Sequence, residues 1–105
     1  MILIPKSAGL PVRCDDDPDP MVRVKLFTPY GSWTWLLYEY DPADKIAFGF
    51  AYCGDMPDCA ELGSVYIPEL EALRGPGGIP GVERDIHWQP CRLSEAKRRE
   101  RMLCA

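Results

Sequence analysis

Apolar and polar residues alternate through the first half of this chain with the period of two that a half-buried strand requires. Residues 22–27, VRVKLF, set Val22, Val24 and Leu26 against Arg23 and Lys25. Residues 33–40, WTWLLYEY, are aromatic and β-favouring. Residues 45–53, KIAFGFAYC, place Ile46, Phe48, Phe50 and Tyr52 on one side and Ala47, Gly49 and Ala51 on the other. That second, small side leaves room for a neighbour to lie close, a helix or a Trp from the adjoining strand. TPYGS (28–32) and DPAD (41–44) separate the three runs as turns. GDMPDCAE (54–61) reads as a loop and LGSVYI (62–67) as a fourth strand.

The pattern then becomes helical. In PELEALR (68–74), Pro68 suits the first helical position, where its missing N–H costs nothing, and Leu70 and Leu73 share a face. Gly75 is expected to take the left-handed cap, and Pro76 forbids continuation. After a tight link through Gly77, Gly78, Pro80 and Gly81, VERDIHWQ (82–89) reads as a fifth strand, with Val82, Ile86 and Trp88 opposite Glu83, Asp85, His87 and Gln89. Ser94 is positioned to cap a last helix over 95–103 that has only a thin apolar face. The expected architecture is α+β: a small antiparallel sheet of about five strands, a short helix before the last strand, and a C-terminal helix. Short turns between strands favour antiparallel pairing. One domain suits 105 residues: an irregular lead-in over 1–21, interrupted by Pro5, Pro11, Pro18 and Pro20; a sheet core over 22–90; and a basic helical end over 91–105.

Charge changes the picture more than composition does. The net charge is −4, but residues 1–90 carry seven Lys or Arg against fourteen Asp or Glu, whereas 91–105 carry five against two. An acidic body repels phosphates, so direct nucleic-acid binding is disfavoured. No apolar run is long enough to span a bilayer, and the start, MILIPKSAGL, lacks the basic and apolar regions of a secretory leader. A cytoplasmic location and no membrane partner are expected. Five cysteines at irregular spacing argue against a disulfide framework.

Several stretches invite a chemical reading. The glycines of 75–81 follow a helix and precede a strand, the reverse of a phosphate-binding loop. The acidic run at Asp15, Asp16, Asp17 and Asp19 lacks the Gly and Glu that a calcium loop needs at its sixth and twelfth positions. Cys53, Cys59, His87 and Cys91 are spaced too widely for structural zinc, and neither metal nor cofactor is expected. Glu83, Asp85 and His87, two apart on a strand, would share a face where two carboxylates orient an imidazole; this is the alternative, enzymatic reading, with Arg23 and Lys25 as cross-strand partners in the bland one. Arg92, Lys97, Arg98, Arg99 and Arg101 would carry a second alternative, an accessory protein that contacts DNA. Arg74 with Glu71 and Arg84 with Asp85 are read as an ion-pair lock across the Gly-rich link.

The reading least contradicted is a non-enzymatic binding module. Aromatic residues are many for the length: Trp33, Trp35, Tyr38, Tyr40, Tyr52, Tyr66 and Trp88. Those facing outward would be rigid interface anchors, and the acidic body would steer toward a basic partner. The residues expected to meet that partner are Asp15, Asp16, Asp17, Asp19, Trp33, Asp55, Asp58 and Glu61. The partner itself is expected to be a protein, a basic nucleic-acid-binding effector, met by a monomer or small homo-oligomer.

The stretches VKLFTPYGSWTWLLYEYDPAD, IAFGF, ELGSVYIPELEALRGPGGIPGVERDIHW and LSEA resemble a bacterial domain-of-unknown-function family, number 2958 in its series. Lys25 to Pro29, Thr34 to Leu37, Glu61 to Gly63, Arg74 to Gly78 and Glu83 to Asp85 carry the likeness most specifically. The resemblance implies no catalytic residue or cofactor. It implies a mobile-element setting beside antirestriction-type proteins, and from it the expectation of an inhibitor of a defence system, anti-CRISPR or antirestriction, or, for the DNA-contacting alternative, of a plasmid accessory protein. The lead-in departs from the helical start that the resemblance implies.

Overall fold

The structure, a computed structural model, describes residues 2–14, 16–53 and 56–104, so Asp15 and Asp55 lie outside the described residues. Strands β1 (Met21–Val22), β2 (Val24–Phe27), β3 (Trp33–Asp41), β4 (Ile46–Cys53) and β5 (Met56–Tyr66) lead to helix α1 (Ile67–Ala72). β6 (Glu83–Arg84), β7 (Cys91–Arg92) and helix α2 (Leu93–Cys104) complete the chain. The main sheet has five strands in the order β5-β4-β3-β2-β6, all antiparallel. The fold is therefore α+β, with α1 before a late strand and α2 at the C-terminus. The link after α1 carries the chain past β4 and β3 to pair β6 with the far side of β2.

The alternating runs produce the strands they predict, and the differences have local causes. Residues 54–61 do not form a loop throughout: β5 begins at Met56, and its pairing with β4 continues across a register shift between Ala51 and Cys53. β5 is an edge strand, the place in a sheet where Pro57 is tolerated. Lys45 belongs to the turn, not to the strand, and takes a positive φ of 58°. The fifth strand is cut to Glu83–Arg84 because Asp85 turns the chain: its carboxylate accepts the His87 N–H at 2.9 Å and its carbonyl the Trp88 N–H at 3.2 Å. The side chains of 82–89 therefore do not alternate between two strand faces, and Ile86, expected inside, is 74% exposed. A second, two-stranded ribbon pairs β1 with β7.

α1 stops at Ala72, short of Arg74, and Leu73 closes it in an extended conformation. Gly75 is also extended; the left-handed positions are Gly77 and Gly78, at φ 74° and 81°. These close a loop in which Gly75 N–H donates to Ile79 O at 2.6 Å and Gly81 N–H to Leu73 O at 2.9 Å. The Gly-rich stretch, whose order already argued against phosphate binding, is a self-bonded surface loop.

Each face of the sheet has its own core. On one, Val24, Leu26, Leu37 and Ala47 pack with Leu3 of the lead-in, Ile67 and Leu70 of α1, and Val82. On the other, Leu36, Tyr38 and Tyr52 pack with Val22, Cys91, and Leu93 and Ala96 of α2. The lead-in is thus part of the core despite its prolines. Gly49 shows why β4 needs its small residues: a Cβ there would meet Leu36 O at 2.1 Å and Leu37 Cα at 2.8 Å. The space belongs to the β3 backbone, at the irregularity between Leu37 and Glu39, and not to a helix or a Trp.

Candidate functional site

At the β2–β6 edge, α2 folds back and closes a polar corner. Lys25 Nζ lies 2.8 Å from Glu100 Oε1 and 4.0 Å from Asp85. The Tyr52 hydroxyl donates to the other Glu100 oxygen. Trp88 covers the group, its indole N–H donating to Val22 O at 3.1 Å, with the Lys25 ammonium and the Arg99 guanidinium each 5.8 Å from its ring. Glu100 and Tyr52 are buried, and Lys25 is nearly so. A buried ion pair of this kind holds only when further partners meet its charges; here the Tyr52 hydroxyl bonds Glu100 and the Asp85 carboxylate lies within ion-pair range of Lys25.

The residues of the enzymatic alternative lie on the outer side of this corner. Lys25, Glu83, Arg84, Asp85 and His87 line an open depression of about 490 Å³. The structure brings Glu83, Asp85 and His87 near one another but not onto one strand face, and Asp85 is engaged by Lys25 and by the His87 backbone. Cys91, weighed above as a metal ligand, is buried among apolar side chains, and burial pushes its thiol up. Arg84 donates to Ile2 O and Arg74 to the carbonyls of Glu71 and Leu73, while the Glu71 carboxylate accepts the Leu3 N–H. The expected ion-pair lock is therefore replaced by bonds to main chain. Among the described residues, no three His, Cys, Asp or Glu side chains stand together as a metal site.

The acidic lead-in is turned inward. Asp17 pairs with Arg92 at 3.0 Å. Asp19 accepts the Ser94 hydroxyl at 2.6 Å and the Ser94 N–H at 2.9 Å. These bonds, the hydroxyl's first, hold the Asp19 carboxyl below the usual carboxylate range. Asp19 therefore does the capping that sequence assigns to Ser94, which lies inside the first turn of α2. Of the expected contact residues here, Asp16 is exposed and Asp17 and Asp19 are held by the body of the protein.

The cations of α2 are also partly occupied. Lys97 lies 4.4 Å from the Phe50 ring centroid, Arg99 contacts Trp88 and Glu95, and Arg98 pairs with Glu95. The helix is basic partly because its long side chains cover an aromatic sheet face.

The opposite edge of the sheet is different. β5 pairs only with β4, and among the described residues nothing bonds its outer side over 61–66. Leu62 and Tyr66 stand out at 53% and 46% exposure on one side of this strand, and Glu61 is exposed on the other. Asp58 is on the same strand, with only its backbone described. Trp33 is partly exposed and stacks on Trp35, with ring centroids 6.3 Å apart, at the β5-proximal end of β3 where Cys53 links it to Met56. Cys14 of the lead-in bonds Glu39, six residues along β3, about 20 Å away. The described contact residues thus divide into a lead-in group, a pair on β5 (Asp58 and Glu61), and Trp33 on β3, two strands in from that edge. Tyr38 and Tyr52 are core. Tyr30, exposed beside Gly75, is a surface aromatic that the alternation did not single out.

A family model described as Protein of unknown function (DUF2958) matches residues 6–100. The chain belongs to this family. No curated protein and no solved structure matches it. The DUF2958 match takes in the β5 edge, the Asp19–Ser94 contact and the polar corner as far as Glu100. No helix among the described residues is long and apolar enough to cross a membrane.

Proposed function

We propose that this DUF2958 chain is a non-enzymatic protein-binding module, an inhibitor of a bacterial defence system (anti-CRISPR or antirestriction) that acts on a basic nucleic-acid-binding effector. One observation carries the reading: among the described residues the fold satisfies its polar clusters internally but leaves the β5 edge open over 61–66, with Leu62 and Tyr66 exposed on one face and Glu61 on the other. Exposed apolar side chains together with uncommitted main-chain groups are what a protein partner covers. The acidic body adds attraction for a basic surface and would mimic the charge of nucleic acid. The partner-binding set within it is Asp58 and Glu61 on β5 and Trp33 on β3, with Asp16 as a separate contact; Asp19 acts indirectly by holding α2, and Asp17 by holding Arg92 of β7.

The test is a pull-down with tagged protein from cells that carry CRISPR and restriction systems, eluted with rising salt. A stoichiometric effector released at moderate salt supports the reading; absence of any defence effector rejects it. The depression beside His87 favours a second reading, a small enzyme acting through Glu83, Asp85 and His87. Ligand screening by thermal shift, with His87→Ala as the control, tests that alternative.

A further inference from the structure

We propose that the outer edge of β5 is a strand-addition site for an extended segment in which basic and apolar residues alternate. The proposal rests on the protein-binding reading above and adds its mode and its chemistry. Natural sheets protect their edges with short strands, Lys, Pro, bulges or a covering element. Residues 61–66, ELGSVY, have none of these on the outer side: no cation, no Pro and no covering element among the described residues. The one Pro of the strand, Pro57, and the register shift opposite Cys53 lie at its far end. Six open residues offer about 20 Å of main-chain donors and acceptors.

The side chains define what fits. Leu62 pairs with Phe50, Ser64 with Phe48 and Tyr66 with Ile46, so these three lie on the α2 side of the sheet. Glu61, Gly63 and Val65 lie on the other side, where Val65 packs on the core. Nothing stands within 4 Å of a Cβ built on Gly63, so a large incoming side chain has room there. An added strand would set apolar side chains beside Leu62 and Tyr66 and a Lys or Arg beside Glu61. The occupant is basic rather than a second copy, because β5 carries Asp58 and Glu61 with no cation, and a second copy would bring the same two acids to the edge.

The probe is a blocked ten-residue peptide alternating Val and Lys, titrated into the full-length protein and followed by amide chemical shifts. Two companions complete the set: a Val/Glu peptide, and a Val/Lys peptide N-methylated on alternate amides. Shifts centred on residues 61–66, weakened by salt, absent with the N-methylated peptide and reduced at least about fivefold by Glu61→Lys or Leu62→Lys, are expected. Equal binding of the N-methylated peptide, shifts centred elsewhere, or no change at 61–66 at millimolar peptide overturns the proposal. A concentration-dependent dimer in sedimentation that Leu62→Lys abolishes overturns it in favour of a second copy. An effector still captured by both variants would reject this edge while leaving the binding function standing.

Discussion

Asp19 caps the C-terminal helix from seventy-five residues away, its two carboxylate oxygens taking the N–H and the hydroxyl of Ser94 at 2.9 and 2.6 Å. The contact fastens the acidic lead-in to the first turn of α2, where a negative charge also meets the positive helix end. Asp19→Ala is expected to lower Tm, and Asp19→Asn, which can still accept a hydrogen bond, to lower it less. The pH dependence follows from the lowered carboxyl. A group held below its unfolded value of 3.8 stabilises fully above that value and loses its contribution as pH falls through the folded one. Thermal melts should therefore separate wild type from Asp19→Ala at neutral pH and converge in acid. A gap that widens on acidification would contradict this.

Glu100 is the hinge of the polar corner, since one carboxylate serves both Lys25 and Tyr52. Glu100→Ala removes the carboxylate that a nearly buried ammonium and a buried hydroxyl share and should cost about 2–4 kcal/mol. Tyr52→Phe removes one hydrogen bond and should cost about 1 kcal/mol. The double variant Lys25→Met/Glu100→Leu should recover much of the first loss. Urea unfolding of wild type, Lys25→Met, Glu100→Leu and the double variant closes the cycle; additive losses would show that the two groups do not act together.

Two glycines face each other across β4 and β5, Gly49 and Gly63, and only one is required. Gly49→Ala drives a Cβ into the β3 main chain and should cost about 3 kcal/mol or more, whereas Gly63→Ala opens onto free space and should stay within about 0.5 kcal/mol of wild type. Chemical denaturation of the pair measures the difference directly.

β2 and most of β4 were legible from their period of two, and β3 from its aromatic and apolar run, since a strand covered on both faces loses the polar alternation of a half-buried one. Tertiary partners decided the rest. Nothing local in 15–19 announces that Asp19 will cap a helix near the other end of the chain, so Ser94 looked like the cap. Pro57 and its neighbours looked like a loop because their place on an outer strand is a fact of topology. Glu83, Asp85 and His87 had the spacing of a strand face, but the Asp85 side chain favours a turn that leads the chain away opposite Lys25, while β2 is still running. At the candidate site, Glu61, Asp58 and Trp33 could be named from residue type; the Lys25–Glu100–Tyr52 corner could not, since its members lie on β2, α2 and β4.

The basic end of the chain tests the DNA alternative. With Lys97 and Arg99 laid over Phe50 and Trp88, and Arg98 and Arg92 paired with acids, little specific affinity for duplex DNA is expected near physiological salt. Neutralising Arg92, Lys97, Arg98, Arg99 and Arg101 together should leave anisotropy of labelled duplex unchanged. The single change Lys97→Gln should lower stability by about 0.5–1 kcal/mol through the lost ring contact. Tight DNA binding by wild type that vanishes in the neutralised variant would support the alternative.

The most direct test of the central claim is amide hydrogen exchange of this protein, alone and with the effector captured in the pull-down. New protection confined to residues 61–66, with the Glu83–His87 corner unchanged, is the predicted result. Protection at 83–88 with β5 still exchanging freely would place the interface at the opposite edge and contradict the account.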